Sequence, residues 1–174
     1  MSMKRTAYDL TKTAMMLALA LILSIVEAWL LPRGILPIPG FKLGLANVAI
    51  LVTLYSVGRK EALAVAVLRS VVVLAFGGNV IGFLFSLVGG VSAWAVMSLL
   101  SDFEHISVYG VSIAGASAHA IGQILVAILV TKTVYVIGYL PYLVLTSAFA
   151  GAVIAFLTIP VVKALDHIGN EMIQ

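Results

Sequence analysis

With 174 residues, 63% of them hydrophobic and 10% charged, and a mean hydropathy of +1.20, the chain carries more apolar surface than a soluble domain of this size can bury. The absence of cysteine excludes disulfides, thiolate nucleophiles and cysteine metal sites. A formal net charge of +3, spread over several loops, with the aromatic residues held inside apolar runs, makes no basic stripe for nucleic acid.

Lys4, Arg5 and Lys12 precede the first apolar run, as in a signal peptide. The run is too long for one, and Glu27 and Trp29 stand where a small-residue cleavage site belongs, so a retained first helix over 11–31 is expected. Pro32, Gly34, Pro37, Pro39 and Gly40 then make a stiff, non-helical loop. Further helices are expected over 43–57, 61–76, 80–100, 109–132 and 140–165, the second and third being short. The fold class is therefore an all-α membrane protein, a six-transmembrane-helix bundle forming one integral membrane domain over residues 1–174. No repeat or linker marks a second domain.

Short loops rich in Lys and Arg stay in the cytoplasm. With the N-terminus inside, Lys4, Arg5, Lys12, Arg59, Lys60 and Lys163 are cytoplasmic, against Arg33, Lys42 and Lys132 outside. Both termini are thus expected on the cytoplasmic side of the cell membrane.

Ionisable groups in hydrocarbon cost several kcal/mol unless paired or hydrated, which makes each a site candidate. Arg69 falls near the middle of the third helix and His119 near the middle of the fifth, with Gln123 one turn further on the same face. Glu27 and Asn47 fall in the outer parts of the first and second helices, and Lys42 and Asn79 at outer helix ends. Their shared depth predicts a cavity open to the outside. The structural alternatives are an Arg69–Glu27 ion pair, hydrogen bonding between helices by His119 and Gln123, helix capping by Asn47 and Asn79, and snorkelling of Glu27 to the surface. Ala114, Ala118 and Gly122 form a small-residue face on the fifth helix, and Ala14 and Ala18 another on the first, suited either to packing within the bundle or to docking of a membrane partner.

The glycine pairs have no following Lys, so no phosphate-cradling loop for ATP exists. Asp9, Asp102 and Asp166 are scattered, unlike the aspartates that hold Mg²⁺ on a diphosphate, and His119 has no acidic neighbour in sequence. No cofactor, no metal and no catalysis by this chain alone are expected.

The run Pro37-Ile38-Pro39-Gly40-Phe41-Lys42-Leu43-Gly44-Leu45-Ala46-Asn47, with Gly122-Gln123 later, resembles a bacterial family called Gx transporter or heptaprenyl diphosphate synthase component I. The resemblance covers nearly the whole chain. That family is similar to the substrate-binding S components of energy-coupling factor (ECF) transporters, which have six helices. The resemblance implies that Ala14-Met15-Met16-Leu17-Ala18 is the AxxxA motif touching a coupling subunit, and that the 32–41 loop covers an outer pocket. It implies partner ATPases as well. The synthase name implies instead a non-catalytic membrane component of a polyprenyl diphosphate synthase.

The expected function is capture of a small anionic or polar molecule from outside, with Arg69, His119, Gln123, Asn47, Lys42 and Asn79 as contacts and Glu27 balancing Arg69. A synthase-associated component and a purely structural scaffold are the rivals.

Overall fold

The computed structural model describes residues 3–30 and 42–173. These form six α-helices: α1 Met3–Leu30, α2 Asn47–Ser56, α3 Arg59–Ala75, α4 Val80–Leu100, α5 Val108–Thr131 and α6 Leu140–Ile173, with a 3₁₀ helix at Val134–Tyr139 before α6. Among the described residues there is no strand. Four segments are long and apolar enough to cross a membrane: Ala7–Leu30, Val80–Leu100, Val108–Thr131 and Val134–Leu165. α2 and α3 fall short of that measure, α2 by length at 10 residues. The protein is therefore all-helical and built as a membrane-compatible bundle.

Three helix limits differ from those expected. α1 starts at Met3, ahead of residue 11, because the polar residues before the apolar run continue the helix. α2 starts at Asn47 rather than residue 43, because Gly44 takes φ +83°, a left-handed conformation that glycine alone adopts without steric cost. α6 continues to Ile173, past the expected end at residue 165, and runs through Pro160. A proline inside a helix removes one hydrogen bond, which weakens a helix without necessarily ending it when neighbours support the backbone.

The packing centres on α2. Its residues Asn47–Leu54 are buried without a break, enclosed by α1, α3, α4 and α6. A helix hidden on all sides needs no amphipathic stripe, which explains its uniform hydrophobicity. Around it, Met16, Ala20, Val65, Met97 and Ile154 complete the main core. α4 lies along α5 and α5 along α6. The second contact is a backbone approach: a Cβ on Gly151 would stand 2.7 Å from Ile113 Cα, and Ser112 Oγ donates to the Gly151 carbonyl at 2.6 Å. The large apolar side chains of Ile22, Leu125, Leu129, Leu145, Phe149 and Phe156 point outward, as on a lipid-facing surface. At the end of the bundle where α3 begins and α4 finishes, Arg59 pairs with Asp102, and Trp94 Nε1 donates to the Arg59 carbonyl at 2.9 Å.

Candidate polar site in the helix core

Gly44 turns the chain into α2, and this turn is held from two sides. From α1, the Glu27 carboxylate accepts from the backbone N–H of Gly44 at 2.7 Å and of Leu45 at 3.2 Å. From α5, the Gln123 side chain meets the backbone of Lys42: its amide nitrogen donates to the Lys42 carbonyl at 3.1 Å, and its oxygen accepts from Lys42 N–H at 3.3 Å and from His119 Nε2 at 3.0 Å. The N–H groups of Asn47, Val48 and Ala49 that open α2 are taken by the carbonyls of Gly44, Leu45 and Ala46, so the carboxylate serves the two donors of the turn ahead of the helix. Glu27 therefore anchors, from a neighbouring helix, the turn that leads into α2.

His119 stands between the turn and α4. Its ring lies against Gly89: a Cβ there would meet Cε1 at 2.8 Å and Nδ1 and Nε2 at 3.0 Å. On the turn side, a Cβ on Gly44 would meet Asn47 Nδ2 at 2.8 Å and His119 Cδ2 at 3.2 Å. The next residue of α4, Gly90, leaves room for Arg69, whose Nη2 would be 3.0 Å from a Cβ and donates to the Ser86 carbonyl at 3.2 Å. The consecutive glycines of α4 thus seat the imidazole from α5 and the guanidinium from α3. Burial is nearly complete, with relative exposures of 0% for Asn47, 1% for Arg69 and Gln123, and 2% for Glu27 and His119.

Six of the seven expected substrate contacts meet here: Glu27, Lys42, Asn47, Arg69, His119 and Gln123. Asn79 does not. It is exposed and caps α4, its Oδ1 accepting from Gly82 N–H at 2.6 Å. Capping is therefore the role of Asn79 and not of Asn47, which makes no cap hydrogen bond and whose Nδ2 and Oδ1 have no partner among the described residues. Two of the structural alternatives for Glu27 do not hold. It is buried rather than snorkelling, because two backbone donors hold its carboxylate inside. It forms no direct ion pair with Arg69, although the two charges are in electrostatic range. Arg69 Nε is likewise without a partner among the described residues.

The charge of the centre follows from these groups: two cations, Arg69 and Lys42, stand against the single carboxylate of Glu27. Burial pulls the Lys42 ammonium below the ordinary lysine range, the Arg69 charge acts in the same direction, and Glu27 opposes both. Chemically, the arrangement is a desolvated set of donors with a surplus of positive charge, suited to holding an anion. Among the described residues no group of His, Asp and Glu is arranged to hold a metal ion.

Sequence reasoning missed Gly44, Gly89, Gly90 and the carbonyl of Ser86. The signal for the glycine pair was present, since adjacent glycines inside a long apolar helix cost about 1 kcal/mol each relative to alanine and ask for a packing reason. Replacing Gly89 with Ala is expected to tilt the His119 ring, break its contact with Gln123 and lower stability by about 1–3 kcal/mol. Gly138→Ala, whose added methyl meets nothing within 4 Å, is the matched control in thermal denaturation in detergent. Equal melting of the two variants would remove Gly89 from this account.

Elsewhere, Ala14 and Ala18 are both exposed on α1. The alternative of packing within the bundle thus does not hold for this pair, whereas Gly122 of the other small-residue face is buried, a Cβ there lying 2.7 Å from Ser92 Oγ and 3.1 Å from the Val88 carbonyl. The 32–41 loop and Arg33 lie outside the described residues. A separate apolar cleft of about 390 Å³, its open mouth included, lies between α2, α5 and α6 and is lined by Tyr55, Thr158 and Lys163 among others.

The family model described as heptaprenyl diphosphate synthase component I matches residues 16–160, which run from the middle of α1 to Pro160 in α6 and include the polar centre. No curated protein and no solved structure matches the chain.

Proposed function

The chain belongs to the heptaprenyl diphosphate synthase component I family, and on that premise we propose that it is the substrate-capture subunit of an ECF-type uptake system. It binds a small anionic or polar molecule from outside the cell and has no catalytic activity of its own. The observation that carries this reading is Arg69, a buried guanidinium that forms no direct ion pair and keeps an unpartnered Nε among the described residues. Buried charges are ordinarily paired, and a cation left with a surplus of positive charge around it is what an anionic ligand completes.

In this reading all six helices lie at membrane depth, with both termini in the cytoplasm, as the loop cations favour. The shortness of α2 is compatible with that because protein rather than lipid surrounds it. Arg69, Lys42, Asn47, His119 and Gln123 make up the site, and Glu27 holds the turn beside it. The exposed Ala14 and Ala18 offer a flat strip for a coupling subunit, which in turn engages the ATPases that this chain lacks.

The family's description favours a second reading, a membrane component assembling with a polyprenyl diphosphate synthase subunit. Purification of the wild type from native membranes in mild detergent, followed by native mass spectrometry, separates the two. Capture predicts a retained small-molecule mass of anionic character. A protein without small-molecule mass that brings a soluble prenyl synthase with it would replace the transport reading with the accessory one.

A further inference from the structure

We infer that the molecule held at this centre is amphoteric in its hydrogen bonding: beside an anionic acceptor group it carries an N–H or O–H donor, and Asn47 reads that donor. This deepens the capture reading and rests on it. The carboxamide of Asn47 is fully buried and, among the described residues, unpartnered at both Nδ2 and Oδ1. A carboxamide presents a donor and an acceptor side by side, and whichever way the Asn47 amide is turned, one atom asks for an acceptor and the other for a donor, whereas the Gln123 amide is already engaged by Lys42 and His119. Local structure does not consume either: Asn47 begins α2 without capping it, and the missing Cβ of Gly44, the residue Glu27 holds, leaves space beside Nδ2.

The neighbours supply only half of what an uncharged or purely anionic ligand would need. Arg69 Nε, which has no partner among the described residues, and the Lys42 ammonium are both donors, and an acceptor on the bound molecule would serve them. The exception is the Asn47 oxygen, which none of these cations meets. A fully deprotonated anion without N–H or O–H would satisfy Arg69 and Asn47 Nδ2 and leave Oδ1 buried and unpaired. Sites built to hydrogen-bond a polar group reject analogues lacking it, for this reason. The chemical class is thus a small carboxylate or phosphate that also bears an amine, amide, ring N–H or hydroxyl within a few ångströms of its charge.

The test uses the compound that wild-type protein retains from native membranes, identified by tandem mass spectrometry, and its derivatives in which each N–H or O–H is methylated in turn. The compound is expected to carry both an anionic group and a donor. One methylated derivative should rebind wild type about 10- to 100-fold more weakly, and that penalty should vanish in Asn47→Leu. A retained anion without any donor, or methylated derivatives that all rebind like the parent, would overturn the inference while leaving capture intact. Retention of no small molecule by the wild type would overturn capture and this inference together. The need for a donor is read on wild-type protein alone, and a methylation penalty that persists in folded Asn47→Leu would overturn the assignment of that donor to Asn47.

Discussion

Replacing Arg69 with Met is expected to abolish retention of the anionic molecule while leaving the empty protein as stable as the wild type, or more so. Met occupies a similar volume and adds no charge, so it removes an unpaired buried guanidinium from the core. Exchanging buried ions for well-packed apolar groups is often neutral or stabilising, by about 1–4 kcal/mol. The loss in binding goes the other way. Truncating one partner of a desolvated, charge-assisted contact costs about 2–5 kcal/mol, roughly 30- to several-thousand-fold in affinity. A structural role gives the opposite pattern: if Arg69 served mainly to neutralise Glu27, its removal would strand a buried carboxylate and cost about 3–5 kcal/mol in stability. Thermal denaturation in detergent beside native mass spectrometry reads both quantities on one preparation. A strongly destabilised Arg69→Met protein would return Arg69 to the architecture of the bundle.

Glu27→Ala should be the most damaging single change in stability. It uncovers the N–H groups of Gly44 and Leu45 inside the bundle, where an unsatisfied buried donor costs about 1–3 kcal/mol. The two together lead to an expected loss of about 2–5 kcal/mol, together with loss of the ordered turn that places Asn47 and Lys42. Glu27→Gln is the informative companion. It keeps one acceptor oxygen and loses the charge, so it should recover about half of that stability if the carboxylate works chiefly as a backbone cap. Equal destabilisation by Ala and Gln would mean that the negative charge near Arg69, and not the backbone contacts, is what the fold needs.

The two experiments bear on one physical question, which is how a hydrophobic bundle tolerates three charged side chains at its centre. The structure divides the task. The carboxylate is satisfied by main chain, the guanidinium is seated by a glycine and touches one carbonyl, and the lysine sits at the rim, half-buried. Only the first of these is complete within the described residues. The incompleteness of the others is what the proposed capture role rests on.

The sequence by itself determined the solvent, the helical class and the candidates. Sustained apolar runs leave a helix as the only way to satisfy backbone groups away from water, and rare ionisable residues within such runs stand out against their surroundings. Arg69, His119 and Gln123 were legible for that reason, as was the shared face of the last two, which follows from helical periodicity. Only the tertiary structure decided their partners. Whether Glu27 faces Arg69 or the start of α2 depends on where the chain turns before Asn47, and that turn depends on the left-handed Gly44, held by residues far away in sequence on α1 and α5. Likewise, Asn47 and Asn79 look equivalent as asparagines at helix starts. Asn79 is an exposed cap and Asn47 a buried amide without a partner among the described residues, because α2 is enclosed by four helices whereas the start of α4 is exposed. Periodicity reports which face a side chain lies on; which atoms meet it there is set by packing between segments that no local pattern relates.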